Sequence, residues 1–150
     1  MLRIFKSMDG RLHTLNEIEE DSWICLTDPS LEEIMEVSAV CKIDADDLRA
    51  SMDEEETSRI EITDDYTLIL VDVPSKEIRN GNKAYTTIPL AIILMDKMIL
   101  TVCLEDTLVL RPFINEKVRE FHTFKKTRFV YQILYLSLIH ISEPTRLDVI

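Results

Sequence analysis

The chain has 150 residues, of which 46% are hydrophobic and 30% are charged. This is the composition of one folded globular domain and excludes a mainly disordered chain. The 28 acidic residues outnumber the 17 basic ones and give a formal net charge of −11, so nucleic acid is excluded as a partner, whereas cations and basic partners are favoured.

Segments with the apolar or alternating patterns of β-strands occur along most of the chain. The predicted strands are 1–6, 11–15, 23–26, 59–62, 66–73, 83–95 and 98–104. The turn dipeptides Asn80-Gly81 and Asp96-Lys97 predict that the last three pair as an antiparallel meander. Their nearly continuous apolar runs predict strands that are covered on both faces, and helices must supply that cover.

Two helices are predicted between the third and fourth strands. Ser30 and Glu33 have the spacing of a capping box, which marks a helix start. The apolar stripe of that helix is predicted to comprise Leu31, Ile34, Ser38 and Cys41. A second helix is predicted to begin at Asp44, to run through Leu48 and Met52, and to fray in residues 53–56.

The chain is predicted to turn helical from Arg111 onward. One face of the last helix is apolar, with Phe129, Val130, Ile133 and Leu134, and lies opposite Lys125, Lys126 and Arg128. The predicted fold class is therefore α/β, with a mixed, largely antiparallel sheet sandwiched between helices.

No arrangement typical of catalysis is found in the sequence. The phosphate-binding loops, the nucleophile elbow and the zinc-protease motif are all missing. The three histidines have no cysteine or second histidine at ligand spacing, and the cysteines Cys25, Cys41 and Cys103 are predicted to be reduced, buried thiols. We therefore predict that the protein is not an enzyme.

The acidic run Asp53-Glu54-Glu55-Glu56 has two interpretations. The first is a solvated, acidic end of a helix. The second is a weak site for a hard cation, because Mg²⁺ keeps most of its waters and is often held by one or two carboxylates. Such a site would be stronger if a neighbouring subunit shared it. Asp53 and Glu54 are the predicted metal ligands, and Mg²⁺ is the predicted ion.

No transmembrane segment is predicted. The longest apolar stretches, 88–95 and 131–141, are shorter than the ~20 residues that span a bilayer. Residues 1–6 lack the apolar core of a signal peptide. As it stands, the chain is predicted to be soluble.

Several short runs, in this order and spacing, resemble the CorA family of magnesium and divalent-cation transporters, and in particular its bacterial CorA-like group. The runs are Trp23-Ile24-Cys25-Leu26, Asp28-Pro29-Ser30, Ser58-Arg59-Ile60-Glu61, Leu70-Val71-Asp72-Val73-Pro74, Thr86-Thr87-Ile88-Pro89-Leu90, Thr101-Val102-Cys103 and Phe124-Lys125-Lys126-Thr127-Arg128-Phe129. The resemblance covers residues 1–135, about nine-tenths of the chain.

The resemblance implies that 1–135 is the N-terminal cytosolic domain of such a transporter. In the family this domain forms a pentameric funnel. A stalk helix and two membrane helices with a Gly-Met-Asn signature follow it, and this sequence contains neither the helices nor the signature. Residues 136–150 depart from the family pattern, resemble translated adapter sequence and are predicted to be an artefactual tail without function. The chain is thus predicted to be a truncated fragment that cannot transport ions by itself.

For function, the resemblance implies a regulatory domain on the cytoplasmic side of the bacterial membrane, associated with the membrane only through the missing C-terminal part. In the family, Mg²⁺ bridges acidic groups of adjacent subunits and holds the ring closed. The family's acid on the second helix aligns near Arg49 and Ala50, so Asp53 and Glu54, one helical turn later, are predicted to substitute. The alternative is a stand-alone acidic α/β binding module without catalytic activity.

Overall fold

The structure, a computed structural model, describes residues 1–78 and 85–142, and seven strands of these residues form one mixed sheet. The strands are β1 (Leu2–Met8), β2 (Arg11–Leu15), β3 (Ser22–Thr27), β4 (Arg59–Ile62), β5 (Tyr66–Ile78), β6 (Tyr85–Met95) and β7 (Ile99–Cys103). The α-helices are α1 (Leu31–Cys41), α2 (Ala45–Leu48), α3 (Arg111–Ile114) and α4 (Lys126–Ser142). The predicted fold class is confirmed.

The strand order is β2-β1-β3-β7-β6-β5-β4. Strands β5, β6 and β7 form the predicted antiparallel meander, although its first turn at Asn80-Gly81 lies outside the described residues. The one parallel pairing among the described strands, between β3 and β7, was not predicted. It joins the antiparallel N-terminal strands to the antiparallel meander, with Trp23 opposite Ile99 and Leu26 opposite Val102.

Hydrophobic cores on the two faces of the sheet explain the continuous apolar runs of its central strands. In β3, Trp23 and Cys25 belong to the core beneath α4, whereas Ile24 and Leu26 belong to the core beneath α1 and α2. Alternate residues of a strand point to opposite faces, so a strand covered on both faces is apolar at every position.

Trp23 is the centre of the core beneath α4. Its side chain is fully buried, and its ring centroid lies 4.9 Å from that of Phe129 and 5.1 Å from that of Phe5. The indole Nε1–H donates a hydrogen bond to Thr101 Oγ1 over 2.9 Å. Because the bond runs from β3 to β7, it satisfies a buried donor and also links the two strands of the parallel pair.

The predicted capping box at the start of α1 is confirmed. Ser30 Oγ accepts a hydrogen bond from the Glu33 backbone N–H over 3.1 Å, and Glu33 Oε1 accepts one from the Ser30 N–H over 2.9 Å. The N-terminal ammonium also lies 3.2 Å from Glu33 Oε1. Together these contacts lower the pKa of the Glu33 carboxyl, with the Ser30 N–H contributing most.

The predicted stripe of α1 is confirmed at Ile34, is wrong at Leu31, and omits Val37. Ile34 and Val37 are the buried residues of this helix, whereas Leu31 is 63% exposed. Ser38 is half-buried because its hydroxyl donates to the Ile43 carbonyl oxygen over 2.6 Å, which holds this side chain at the border of the buried face. Cys41 is half-buried as well, so the helix is rotated by about one position from the prediction.

The last helix, α4, continues without a break past residue 135 to Ser142. Phe129, Val130 and Ile133 are buried, as the sequence predicted. Ser137 is buried too, and its hydroxyl donates to the Ile133 carbonyl oxygen over 2.9 Å. The absence of function in residues 136–150 stays a prediction, and residues 143–150 lie outside the described residues. No helix in the described part of the chain has the length and apolar character needed to cross a membrane.

Trp23→Ala is expected to lower the free energy of unfolding by about 3–5 kcal/mol, because it removes the largest fully buried side chain and leaves a cavity. The measurement is a urea melt of each variant. Leu31→Ala, at an exposed apolar position, serves as the control and should cost less than about 0.5 kcal/mol. A loss below about 1 kcal/mol for Trp23→Ala would contradict its position in the core.

Candidate metal site on the acidic segment

The segment from Asp44 to Asp65 contains ten acidic residues and only two arginines. It starts with α2, where the Asp44 carboxylate accepts a hydrogen bond from the Asp46 N–H over 2.9 Å and caps the helix. Acidic side chains in this first turn are stabilised by the positive end of the helix dipole. Leu48 is fully buried and attaches the helix to the core beneath α1.

The prediction of one helix from Asp44 through Met52 is wrong beyond Leu48. The α-helix ends there, and a short 3₁₀ helix follows at Ala50–Met52. Ser51 is fully buried, and its hydroxyl donates to the Val102 carbonyl oxygen of β7 over 2.9 Å. This bond ties the 3₁₀ helix to the sheet just before the acidic run.

The predicted metal ligands Asp53 and Glu54 therefore do not lie on an α-helix. Asp53 has an extended backbone, and its carboxylate accepts a hydrogen bond from the Glu55 N–H over 3.0 Å. Both side chains are exposed. Within residues 1–78 and 85–142, no three histidine, cysteine or acidic side chains are grouped closely enough to hold a metal. Metal binding at Asp53 and Glu54 stays a prediction.

Arg59 neutralises part of the acidic segment. Its Nη1 lies 2.5 Å from Glu56 Oε2, and its Nε lies 2.7 Å from Glu61 Oε1. These two charge-assisted hydrogen bonds raise the pKa of the Arg59 guanidinium, with Glu61 contributing most. Glu56 is thus already paired with Arg59.

Tyr66 is a residue of this region that the sequence analysis missed. Its hydroxyl donates a hydrogen bond to the Asp47 carboxylate and accepts one from the Asp44 N–H over 3.3 Å. Burial, followed by the bond to Asp47, raises the pKa of Tyr66 from its ordinary value of 10 to about 12. No sequence pattern points to this link, because it joins the start of α2 to the start of β5.

The thiols and imidazoles show no arrangement for chemistry in the described residues. Cys25 and Cys103 are buried, and burial raises the pKa of both thiols. Cys41 is only half-buried, which corrects the prediction of three buried thiols, and burial raises its pKa to about 11. His13 Nε2 contacts the Met8 carbonyl oxygen at 3.1 Å, and the His122 ring stacks on Phe124 with centroids 5.0 Å apart.

Comparison with known proteins identifies relatives by structure. No family model matches the chain, and no curated protein matches it by sequence. The complete structure of the CorA magnesium transporter from Methanocaldococcus jannaschii superposes on 95% of this chain with a TM-score of 0.74 and 24% identity. The structure of the soluble domain of that CorA superposes on 94% with a TM-score of 0.74 and 26% identity. The full-length CmaX protein covers 95% with a TM-score of 0.68 and 9% identity.

The predicted resemblance to CorA is confirmed, since the chain has the fold of the CorA soluble domain. The match covers 45% of the complete transporter and 58% of the soluble domain, so the chain spans about half the length of these neighbours. The CorA of Methanocaldococcus jannaschii is named as a magnesium transporter.

The bond between Tyr66 and Asp47 predicts a loss of stability at high pH. Tyr66 keeps its proton to a higher pH in the folded state than in the unfolded state. The contribution of its bond to the free energy of unfolding is therefore fully present below about pH 10 and is lost as the pH rises through about 12. In urea melts between pH 9 and 12, the free energy of unfolding should fall less steeply with pH for Tyr66→Phe than for the wild type. Tyr131→Phe, at a ring that is 69% exposed, is the control and should keep the wild-type profile. Identical profiles for Tyr66→Phe and the wild type would contradict the bond.

Proposed function

We propose that this chain is the cytosolic regulatory domain of a CorA-like magnesium transporter. The observation that carries the proposal is the superposition of 94% of the chain on the soluble domain of CorA, at 26% identity. In this proposal the domain acts by binding divalent cations rather than by catalysis. Its place is the cytoplasmic side of the bacterial membrane, and a segment outside this sequence conducts the ion.

Regulation in this proposal follows from the charge of the acidic segment. Carboxylates on neighbouring copies repel one another when no cation lies between them, and Mg²⁺ removes that repulsion by bridging them. A closed ring of subunits, five in the CorA family, is therefore favoured at high Mg²⁺ and loosens when Mg²⁺ falls. The cation shifts this equilibrium only by as much as it binds the closed state more tightly.

Asp53 and Glu54 are proposed as one half of that cation site. Ser51, hydrogen-bonded to Val102 in the sheet, holds the start of the run in place, whereas the Asp53 and Glu54 carboxylates reach solvent. Two exposed carboxylates and bound waters can hold Mg²⁺ only weakly, so further ligands are proposed to come from a neighbouring subunit. The single chain is therefore expected to bind Mg²⁺ weakly, and assembly is expected to strengthen that binding.

The gene provides one test of this proposal. The DNA that follows codon 150 is expected to encode, in one of its frames, a long charged helix, a Gly-Met-Asn motif and two apolar segments of about 20 residues. Sequencing the genomic locus is the measurement. A conserved stop after Ile150 in independent isolates, with no such segment downstream, would contradict the proposal and favour a stand-alone acidic binding module.

Cation binding by the chain itself provides another test. At a Mg²⁺ concentration several times the Kd, the unfolding midpoint of the wild type should rise by about 2–4 °C more than in NaCl of equal ionic strength. The double variant Asp53→Asn, Glu54→Gln should lose this extra rise, because it removes both proposed ligands.

A matched control separates binding from general screening of the acidic surface. Asp64→Asn, Asp65→Asn removes the same two charges from another exposed adjacent pair in the same segment and should keep the extra rise. Equal responses of the wild type to MgCl₂ and NaCl, or loss of the rise in the control as well, would contradict the site.

A further inference from the structure

Strand β4 is the edge of the sheet and carries two exposed isoleucines. Ile60 is 67% exposed and Ile62 is 80% exposed. Only β5 lies beside β4 in the described sheet, so one side of its backbone faces outward. An apolar edge strand is a template for pairing with another strand.

The two faces of β4 differ in character. Arg59 and Glu61 lie opposite Leu70 and Leu68 of β5, on the α1 face of the sheet. Ile60 and Ile62 lie on the opposite face, which α4 covers further along the sheet. A strand added beside β4 would therefore meet one apolar row and one charged row.

The hydrogen-bond pattern of the β4–β5 hairpin shows which backbone groups face outward. The Thr63 N–H donates to the Tyr66 carbonyl oxygen over 2.9 Å and closes the hairpin. Hydrogen-bonded positions recur at every second residue of an antiparallel strand. Since Thr63 is bonded to β5, the backbones of Glu61 and Arg59 bond to β5 as well. The backbone N–H and C=O groups of Ile60 and Ile62 then point away from the sheet.

We propose that β4 is a docking edge for a second copy of this chain, with the two β4 strands antiparallel about a two-fold axis at Ile60. In this register Ile60 lies opposite Ile60 of the second copy, and the two exchange a pair of backbone hydrogen bonds. Arg59 of each copy lies opposite Glu61 of the other. The sheet thereby continues from one chain into the next.

Charge complementarity selects the second copy and this register. Shifting one strand by two residues would place Glu61 opposite Glu61 of the second copy, and like charges in directly opposed positions are destabilising. In the proposed register each Arg59, which already contacts its own Glu56 at 2.5 Å and its own Glu61 at 2.7 Å, also lies opposite Glu61 of the second copy. The sequence Arg-Ile-Glu-Ile is thus complementary to itself in antiparallel pairing.

The edge contact goes beyond the ring proposed above. A two-fold contact uses the same patch on both copies and joins them in pairs, whereas a ring needs two different patches on every copy. The pairing is also independent of Mg²⁺, since none of its contacts uses Asp53 or Glu54. Failure of one proposal therefore leaves the other unaffected.

Sedimentation velocity of the 150-residue chain over a range of concentrations tests the pairing. A concentration-dependent shift from monomer to dimer is expected for the wild type, in EDTA as well as in Mg²⁺. Ile60→Lys should abolish the dimer, whereas Leu31→Lys, at another exposed apolar position, should retain it. A wild-type monomer at every concentration, or an unchanged dimer in Ile60→Lys, would overturn the proposal.

Cross-linking tests the register. In a Cys41→Ser background, Ile60→Cys places the two new thiols directly opposite each other, whereas Ile62→Cys offsets them by four residues, about 13 Å along the strands. A short bis-maleimide should therefore link the Ile60→Cys chains into dimers, leave the Ile62→Cys chains mostly unlinked, and leave Cys41→Ser alone unlinked. Equal linking of both variants, or linking of Ile62→Cys alone, would overturn the register.

Discussion

The parallel pairing of β3 with β7 organises the whole sheet. It joins two antiparallel groups of strands into one sheet, and the hydrogen bond from Trp23 to Thr101 ties the pair together within the core. Because both strands are covered on both faces, α1 and α4 must pack on opposite sides. Strand β7 also accepts, at the Val102 carbonyl oxygen, the hydrogen bond from Ser51, which lies just before the acidic run.

The sequence predicts what is local in this fold. The capping box at Ser30 and Glu33 and the buried face of α4 were predictable, because spacing within one element reports which side is buried. The parallel pairing joins residues 76 apart in the chain, such as Trp23 and Ile99, and no local pattern marks it. The end of α2 at Leu48 was missed too, and the 3₁₀ helix that follows is bonded through Ser51 to β7, a contact between distant parts of the chain.

Only the acidic residues of the candidate site could be predicted from the sequence, and their contacts could not. The acidic run is evident in the sequence, but the pairing of Glu56 with Arg59 depends on how the chain turns before β4. The link from Tyr66 to Asp47 depends on two elements that meet only in the folded state. In the proposed function, the remaining ligands of the cation site belong to another subunit. They cannot be identified from one chain alone.

In the proposed function, Asp53 and Glu54 are half of a Mg²⁺ site and follow a 3₁₀ helix that Ser51 ties to the sheet. The most direct measurement is a residue-resolved NMR titration of amide resonances with MgCl₂, alongside NaCl of equal ionic strength. Saturating shifts that are caused by MgCl₂ alone and confined to residues 50–56 are the expected result. Shifts of the same size in both salts, or shifts spread evenly over the acidic surface, would contradict it.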